Sequence, residues 1–163
     1  MEQSEIKRQN GNLKELIFSL ADPAAWELSR SISEKSIASF IGDDAFERID
    51  TVYLVGHGTS YASALTAELF FSHIAGLKAH CMTAYHFKRC INDYLTDPAH
   101  ALVIGYSTGG NTVSVVDSVA ESRRLGAVSI GACGEKPSAL SAAGSYHLAS
   151  SVDQDHARPG KEF

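Results

Sequence analysis

The sequence has few cysteines, no excess of positive charge and no long apolar run. Many cysteines, an excess of positive charge and long apolar runs are typical of disulfide-rich, nucleic-acid-binding and membrane proteins, respectively. Three cysteines occur in 163 residues, and without a CxxC pair they predict thiols in a reducing compartment. A net charge of −5 argues against a nucleic-acid surface, which needs a basic face. No apolar run approaches the ~20 residues that span a bilayer, and the polar start is not a secretory signal. We therefore expect a cytoplasmic protein without nucleic-acid or membrane partners.

Zinc is one alternative use of the cysteines. His80, Cys81, His86 and Cys90 are close in sequence, and the last two could share one face of a helix. No spacing among the four matches a known ligand pattern, so packing around a short helix is the favoured interpretation. We predict neither a metal nor another cofactor.

What the sequence does contain is the balance of an ordinary globular domain, with 44% hydrophobic and 20% charged residues. Before residue 49 the pattern is helical. A first helix is predicted from the spacing of Leu13, Leu16, Ile17 and Leu20. A second begins at Asp22-Pro23 and is expected to run to about Ile41, with Ile37, Phe40 and Ile41 on one face. We expect residues 1–48 to form a helical segment that packs on the domain.

From Asp50 onward, short apolar runs alternate with helical stretches. Strands are predicted at 51–55, 78–84, 101–106, 127–132 and 146–150, with helices between them and a loop at 92–98. The run TVYLV is apolar throughout, as expected for a strand buried on both faces. About five β-α repeats require a parallel sheet covered by helices on both sides. Residues 49–163 are therefore predicted to form an α/β three-layer sandwich with a five-stranded parallel sheet.

Two loops rich in glycine and hydroxyl groups each follow a buried strand and open a helix. They are Gly56–Ser60 and Ser107–Thr112. Their glycines allow tight turns, the helix starts attract anions, and the hydroxyls suit phosphate oxygens. Either loop alone could be a structural helix cap. If the strands containing Val55 and Ile104 are neighbours, both loops face one pocket, which favours a phosphate site.

The segments VYLVGHGTSYASALTAELFF, IGYSTGGNTVSVVDSVAESRRLGAVSIGAC and KPSALSAAGSYHL resemble the SIS (sugar isomerase) domain. They are most similar to the first of the paired domains in glucosamine-6-phosphate synthase and related amino-sugar isomerases and deglycases. The resemblance covers the chain from about Thr51 to the end, and it implies a flavodoxin-like fold. It also implies binding of a hexose or amino-sugar phosphate, with Ser107 and Thr112 on the phosphate itself. The implied substrate-binding residues are Gly58, Thr59, Ser60, Ser107, Thr108, Gly109 and Thr112.

The sequence departs from this family at three points. His57 stands where the synthase usually has cysteine, and Gly109 replaces the usual serine of the second loop. The sequence reaches Phe163 before the Ser/Thr-Lys segment of the family, so we expect the second SIS domain, which carries the acid/base residues in that family, to be absent or truncated. The resemblance therefore implies the binding domain of an isomerase, aminotransferase or deglycase, completed by a homodimer partner or a second SIS domain. Whether the chain is itself an enzyme stays open, with His57 as the candidate catalytic residue.

Three other interpretations use the same residues. GYSTG at 105–109 matches the G-x-S-x-G nucleophile elbow of serine hydrolases, and Asp153 and His156 follow in the expected order. A dinucleotide site is disfavoured, because Tyr61 occupies the position of the third glycine. A non-catalytic sensor of phosphosugars would use the same pocket as the isomerase-type domain.

Overall fold

The predicted alternation of strands and helices is confirmed in a computed structural model, which describes residues 23–134 and 136–150. The strands are β1 (Thr51–Gly56), β2 (Lys78–Thr83), β3 (Ala101–Tyr106), β4 (Val128–Gly134) and β5 (Tyr146–Ser150). The helices are α1 (Pro23–Ala38), α2 (Thr59–His73), α3 (Ala84–Arg89), α4 (Ile91–Tyr94), α5 (Val113–Arg124) and α6 (Ala139–Ala143). Short 3-10 helices, which the sequence pattern did not predict, occupy Asp44–Phe46 and Pro98–His100.

The five strands form one parallel sheet in the order β2-β1-β3-β4-β5. In this sheet β1 lies beside β3, with Leu54 opposite Ile104. The direction of the chain across the sheet reverses at β1, as in flavodoxin-like folds. The predicted α/β class is therefore confirmed, and the two loops leave the sheet from neighbouring strands.

Alternate residues of β1 enter two separate cores, because successive side chains of a strand point to opposite faces. Tyr53 and Val55 pack in a cluster with Phe87 and other residues of α3, α5 and α6. Val52 and Leu54 pack on the other face, in a cluster that includes Ala64 of α2. Helices thus cover both faces of the sheet, which is the three-layer arrangement predicted.

The end and the buried face of α1 differ from prediction. The helix stops at Ala38 rather than near Ile41, and Ile41 is 58% exposed while Phe40 is buried in the turn that follows. The inward side of α1 is polar: Ser36 Oγ donates to the C=O of His147 at 2.8 Å and accepts from the N–H of Ala149 at 3.0 Å. Strand β5 is at the edge of the sheet, where backbone N–H and C=O groups have no neighbouring strand to pair with. Serine hydroxyls form hydrogen bonds with these groups, which apolar side chains could not do.

One smaller prediction was also wrong. Residues 92–94, predicted as loop, belong to helix α4, since Ile91 and Leu95 are buried under the sheet and fix one turn there. Helix α6 begins at Ala139, after a capping box formed by Ser138 and Ser141.

Some predictions fall outside the described residues. The predicted helix that contains Leu13 and Leu20, and the polar stretch with Asp153 and His156, are among them. Within residues 23–134 and 136–150, no helix has the length and apolar character needed to cross a membrane.

Candidate functional site

The second loop brings its two predicted phosphate-binding hydroxyls into contact. Ser107 Oγ and Thr112 Oγ1 lie 2.9 Å apart, across a turn in which Gly110 N–H donates to Ser107 C=O at 2.9 Å. Ser107 is buried, whereas Thr112 is exposed at the start of α5. Two hydroxyls at the N-terminus of a 12-residue helix can donate to an anion placed against it.

Gly110 fixes the shape of this loop. Its φ is +65°, and a Cβ at this position would lie 2.1 Å from Ser138 Oγ. Only glycine fits such a site. The C=O of Gly110 accepts from Leu140 N–H at 2.8 Å, and the C=O of Thr108 accepts from Gly134 N–H at 3.3 Å. The loop is therefore held by both β4 and α6.

The first loop is more open. Gly58 has a φ of +55°, and no atom lies within 4 Å of the position that a Cβ would take. Gly58 and Thr59 are exposed, and Ser60 is half-buried. The C=O of His57 accepts from Ser60 N–H at 3.1 Å. Ser60 can therefore offer its hydroxyl to a ligand, but its backbone N–H is engaged at the start of α2.

His57 connects the two loops. Its Nε2 lies 2.9 Å from Ser114 Oγ in α5, so the first loop contacts the helix that the second loop opens. Its ring also packs against Tyr85, with the ring centroids 4.9 Å apart. The predicted binding residues and His57 thus lie at the carboxyl ends of two neighbouring strands, where parallel α/β sheets bind ligands.

The electrostatics of the loops suit an anion. Apart from His57, residues 56–60 and 107–112 carry no ionisable side chain, so attraction comes from hydroxyls and helix dipoles. Burial raises the pKa of Tyr106, the last residue of β3, to about 12. Burial also raises the pKa of Cys133, which lies beneath Gly110. Both groups are neutral at pH 7, and neither places a negative charge under the loop.

The serine-hydrolase alternative requires a base beside Ser107, and the described residues place none there. The partner of Ser107 Oγ is the hydroxyl of Thr112, and His57 is bonded to Ser114 instead. The strand-to-helix turn of a nucleophile elbow is present, but an activating base within hydrogen-bond reach of Ser107 is not among the described residues.

The residues considered for zinc do not converge. His86 Nε2 lies 2.6 Å from Tyr94 Oη, while Cys81 Sγ lies 3.8 Å from the C=O of Tyr61. In the part of the chain that the structure describes, no three His, Cys, Asp or Glu side chains are grouped as metal ligands.

Sequence reasoning missed two residues at the site, Ser114 and Tyr85. A signal for Ser114 exists, since Ser114, Ser118 and Ser122 repeat every four residues and all three are buried. Ser118 and Ser122 satisfy their hydroxyls by donating to the C=O four residues earlier, each at 2.7 Å. Ser114 Oγ contacts His57. No local pattern marks Tyr85, because its contact with His57 depends on the pairing of β1 with β2.

The fold and the two loops together define a class: parallel α/β domains whose ligand site lies at the topological switch point of the sheet. Within that class, the model of one family, described as SIS domain, matches residues 46–160. The chain therefore belongs to the SIS domain family. No curated protein matches the sequence.

Solved structures share this fold. The C-terminal domain of glucosamine-fructose-6-phosphate aminotransferase from Francisella tularensis is 20% identical with a TM-score of 0.62, over 78% of this chain and 38% of that one. Glucosamine-6-phosphate deaminase from Thermotoga maritima is 23% identical with a TM-score of 0.62, over 88% of this chain and 41% of that one. The NanR protein of Vibrio vulnificus, complexed with ManNAc-6P, is 14% identical with a TM-score of 0.63, over 82% and 50%. The chain spans half or less of the length of these three proteins, and at these identities the likeness shows the fold alone.

Proposed function

We propose that this domain binds a phosphorylated sugar, a hexose or amino-sugar phosphate, between its two loops. The phosphate would accept hydrogen bonds from Ser107 and Thr112 at the start of α5. Gly58, Thr59 and Ser60 would contact the sugar from the first loop, with Thr108 and Gly109 completing the second.

The observation that carries the proposal is the contact between Ser107 Oγ and Thr112 Oγ1, 2.9 Å apart. Two hydroxyls five residues apart are held together at a helix start by a glycine that no other residue could replace. Membership of the SIS family supports the same ligand class, because structural neighbours include a glucosamine-6-phosphate deaminase and a protein complexed with ManNAc-6P.

Thermal-shift measurements test this proposal. Fructose 6-phosphate or glucosamine 6-phosphate should raise the melting temperature, because a ligand that binds only the folded state stabilises it. Fructose and glucosamine are the matched controls and should have little effect. If the free sugars shift the melting curve as much as their phosphates do, the loops are not a phosphate site.

We also propose that His57 is the group in this domain best placed for acid/base chemistry on the sugar. Its ring lies between the loops, bonded to Ser114 and packed against Tyr85. An isomerase or deaminase assay on the protein and on His57→Asn tests this role. Binding without turnover in both proteins would instead favour the non-catalytic sensor.

The partner we propose is a second copy of the chain, docked against α2. The C-terminal part of the outer face of α2 is apolar: Leu69 and Phe70 are each 59% exposed, and Ile74, just beyond the helix, is 75% exposed. The only carboxylate of α2, on Glu68, turns inward and accepts from Cys81 N–H at 2.8 Å. Exposed apolar side chains that are grouped on one surface mark an interaction site, and a face without exposed carboxylates lets two acidic chains approach.

An apolar groove lies on this face. Phe70 and Ile74 protrude beside an apolar groove that they line together with Ala67, Phe71 and Ala75. A two-fold axis would place the protruding side chains of each copy in the groove of the other.

Light scattering on the protein and on Phe70→Glu tests the proposed dimer, with Ile41→Glu as the control. Ile41 is equally exposed, at 58%, but lies outside α2. We expect a dimer that only Phe70→Glu dissociates. A monomeric parent protein would refute the proposed interface.

A further inference from the structure

A groove runs along the short helix α3, beside the first loop. Its lining residues are Thr83, Tyr85, His86, Lys88 and Arg89. It opens at the carboxyl end of β2, the strand next to β1, and so lies on the same edge of the sheet as the two loops. The proposed phosphate contacts use none of these five residues, and Tyr85 is the one that contacts His57.

Tyr85 makes this groove continuous with the proposed sugar site. Its side chain is 74% exposed, and its ring centroid lies 4.9 Å from that of His57. A ligand that reaches past His57, away from Ser107 and Thr112, would therefore meet the tyrosine ring next. An aromatic ring offers a flat apolar surface with a polar tip, which suits a partly hydrated ligand.

The groove is basic in a chain whose net charge is −5. Lys88 is paired with the carboxylate of Asp117, and the ring nitrogen Nε2 of His86 is bonded to Tyr94 Oη at 2.6 Å. Arg89 is different, because no described residue forms an ion pair or hydrogen bond with its side chain. Its guanidinium is the charge left available in the groove.

Tyr85 and Arg89 lie four residues apart in α3, and therefore project from the same side of the helix. Their positions are separated along the axis by roughly 6 Å, at the rise of an α-helix. Helical side chains lean toward the N-terminus of their helix, so the long side chain of Arg89 extends back along this distance toward Tyr85. A sugar that extends from the second loop past His57 to the ring of Tyr85 would thus meet the guanidinium of Arg89 there, in the groove that the two residues line.

We propose that the groove along α3 is an accessory subsite for a second anionic group, a carboxylate or a phosphate, at the end of the sugar opposite the loop-bound phosphate. Tyr85 packs against the sugar, and Arg89 pairs with the anion. Guanidinium groups bind carboxylates and phosphates through two parallel hydrogen bonds, which a neutral hydroxymethyl group cannot replace. The inference rests on the proposed function, and it makes the groove a determinant of specificity among sugar phosphates.

Two ligands that differ at one end test the subsite. 6-Phosphogluconate carries a carboxylate at C1, whereas sorbitol 6-phosphate carries a hydroxymethyl group there and is otherwise the same chain. Calorimetric titration of both at fixed ionic strength should give at least tenfold tighter binding of 6-phosphogluconate. A parallel comparison of fructose 1,6-bisphosphate with fructose 6-phosphate asks whether a phosphate serves as well as a carboxylate.

Arg89→Gln should abolish the preference and leave the affinity for sorbitol 6-phosphate within twofold of the parent value. Arg89→Lys, which keeps the charge, should retain part of the preference. The matched control is Arg124→Gln, which removes one positive charge from an exposed site where the arginine pairs with Glu121. Thermal melting of each variant verifies that it is folded.

The possible outcomes separate this inference from the proposed function. Equal affinity for the two ligands, or a preference that survives in Arg89→Gln, overturns the subsite while the loops remain a phosphosugar site. Failure of all four sugar phosphates to bind overturns both proposals. A preference that Arg89→Gln removes, Arg89→Lys partly retains and Arg124→Gln leaves unchanged supports the subsite.

Discussion

The two glycine-containing loops have similar sequences and very different surroundings. In the second loop, Ser107 and Gly110 are buried, and backbone hydrogen bonds attach the loop to β4 and α6. In the first loop, Gly58 and Thr59 are exposed, and His57 is bonded to Ser114 of α5, the helix that the second loop opens. The same composition therefore produces one loop attached to neighbouring elements and one exposed loop.

The difference suggests a division of roles. A phosphate has the same shape on every sugar, so its binding loop can be held in one conformation before the ligand arrives. The sugar varies between ligands, and a loop with fewer contacts can adjust to it. We expect substitutions in the second loop to affect stability and phosphate binding, and substitutions in the first to act more weakly.

The largest expected effect comes from the glycines. Gly110→Ala forces a side chain into a positive φ and against Ser138, each at a cost of roughly 1–3 kcal/mol in the free energy of unfolding. Gly58→Ala meets only the first of these costs, because its surroundings are open. Urea unfolding of both variants measures the contrast. Equal destabilisation would show that the second loop is no more tightly held than the first.

The next effect concerns binding. Ser107→Ala and Thr112→Ala should each weaken phosphosugar binding by roughly 1–3 kcal/mol, the value of a hydrogen bond to a charged group. Ser60→Ala should have a smaller effect, because its hydroxyl faces the uncharged part of the ligand in our proposal. Titration with fructose 6-phosphate gives the affinities, with Ser39→Ala, far from the site in the turn after α1, as the control. If Ser60→Ala is the most harmful of the three, the roles of the loops are reversed.

A smaller effect is expected from the bond that joins the loops. Ser114→Ala removes the hydrogen bond to His57 and should destabilise the fold by roughly 0.5–1.5 kcal/mol. The consequence should be local, with faster amide hydrogen exchange at residues 57–60 and unchanged exchange at 107–112. Uniformly faster exchange across both loops would mean that they behave as one unit.

The sequence was sufficient to predict the sheet, because its signals are local. Runs of apolar, β-branched residues such as TVYLV predict the strands. Glycine and hydroxyl residues that follow two of these strands predict both loops. The adjacency of the strands that contain Val55 and Ile104 was a condition for one shared pocket and not a prediction, and the structure shows that these strands are neighbours. The sheet and both loops were predicted without any knowledge of long-range contacts.

Long-range contacts account for what was missed. The inward face of α1 could not be predicted from apolar spacing, because Ser36 bonds the edge strand β5 more than a hundred residues away. Tyr85 and Arg89 lie beside the first loop only because β2 pairs with β1. Residues whose role depends on such pairing leave no periodic pattern in the sequence.

The last prediction is that Ser107 does not react with a probe for active-site serines. A fluorophosphonate probe should not label Ser107, because an unactivated hydroxyl is a weak nucleophile and Ser107 Oγ lies 2.9 Å from another hydroxyl, not from a base. The serine that does contact a histidine is Ser114, at 2.9 Å from His57 Nε2, and it is only 8% exposed. The two loops thus divide between them the parts that a hydrolase would need at one serine. The second loop has an elbow whose serine has no base beside it, and the first has His57, which is bonded to a buried serine of α5. Mass spectrometry of the probe-treated protein, with Ser107→Ala alongside, is the measurement. Labelling that disappears in Ser107→Ala would place a base near the second loop and restore the hydrolase alternative.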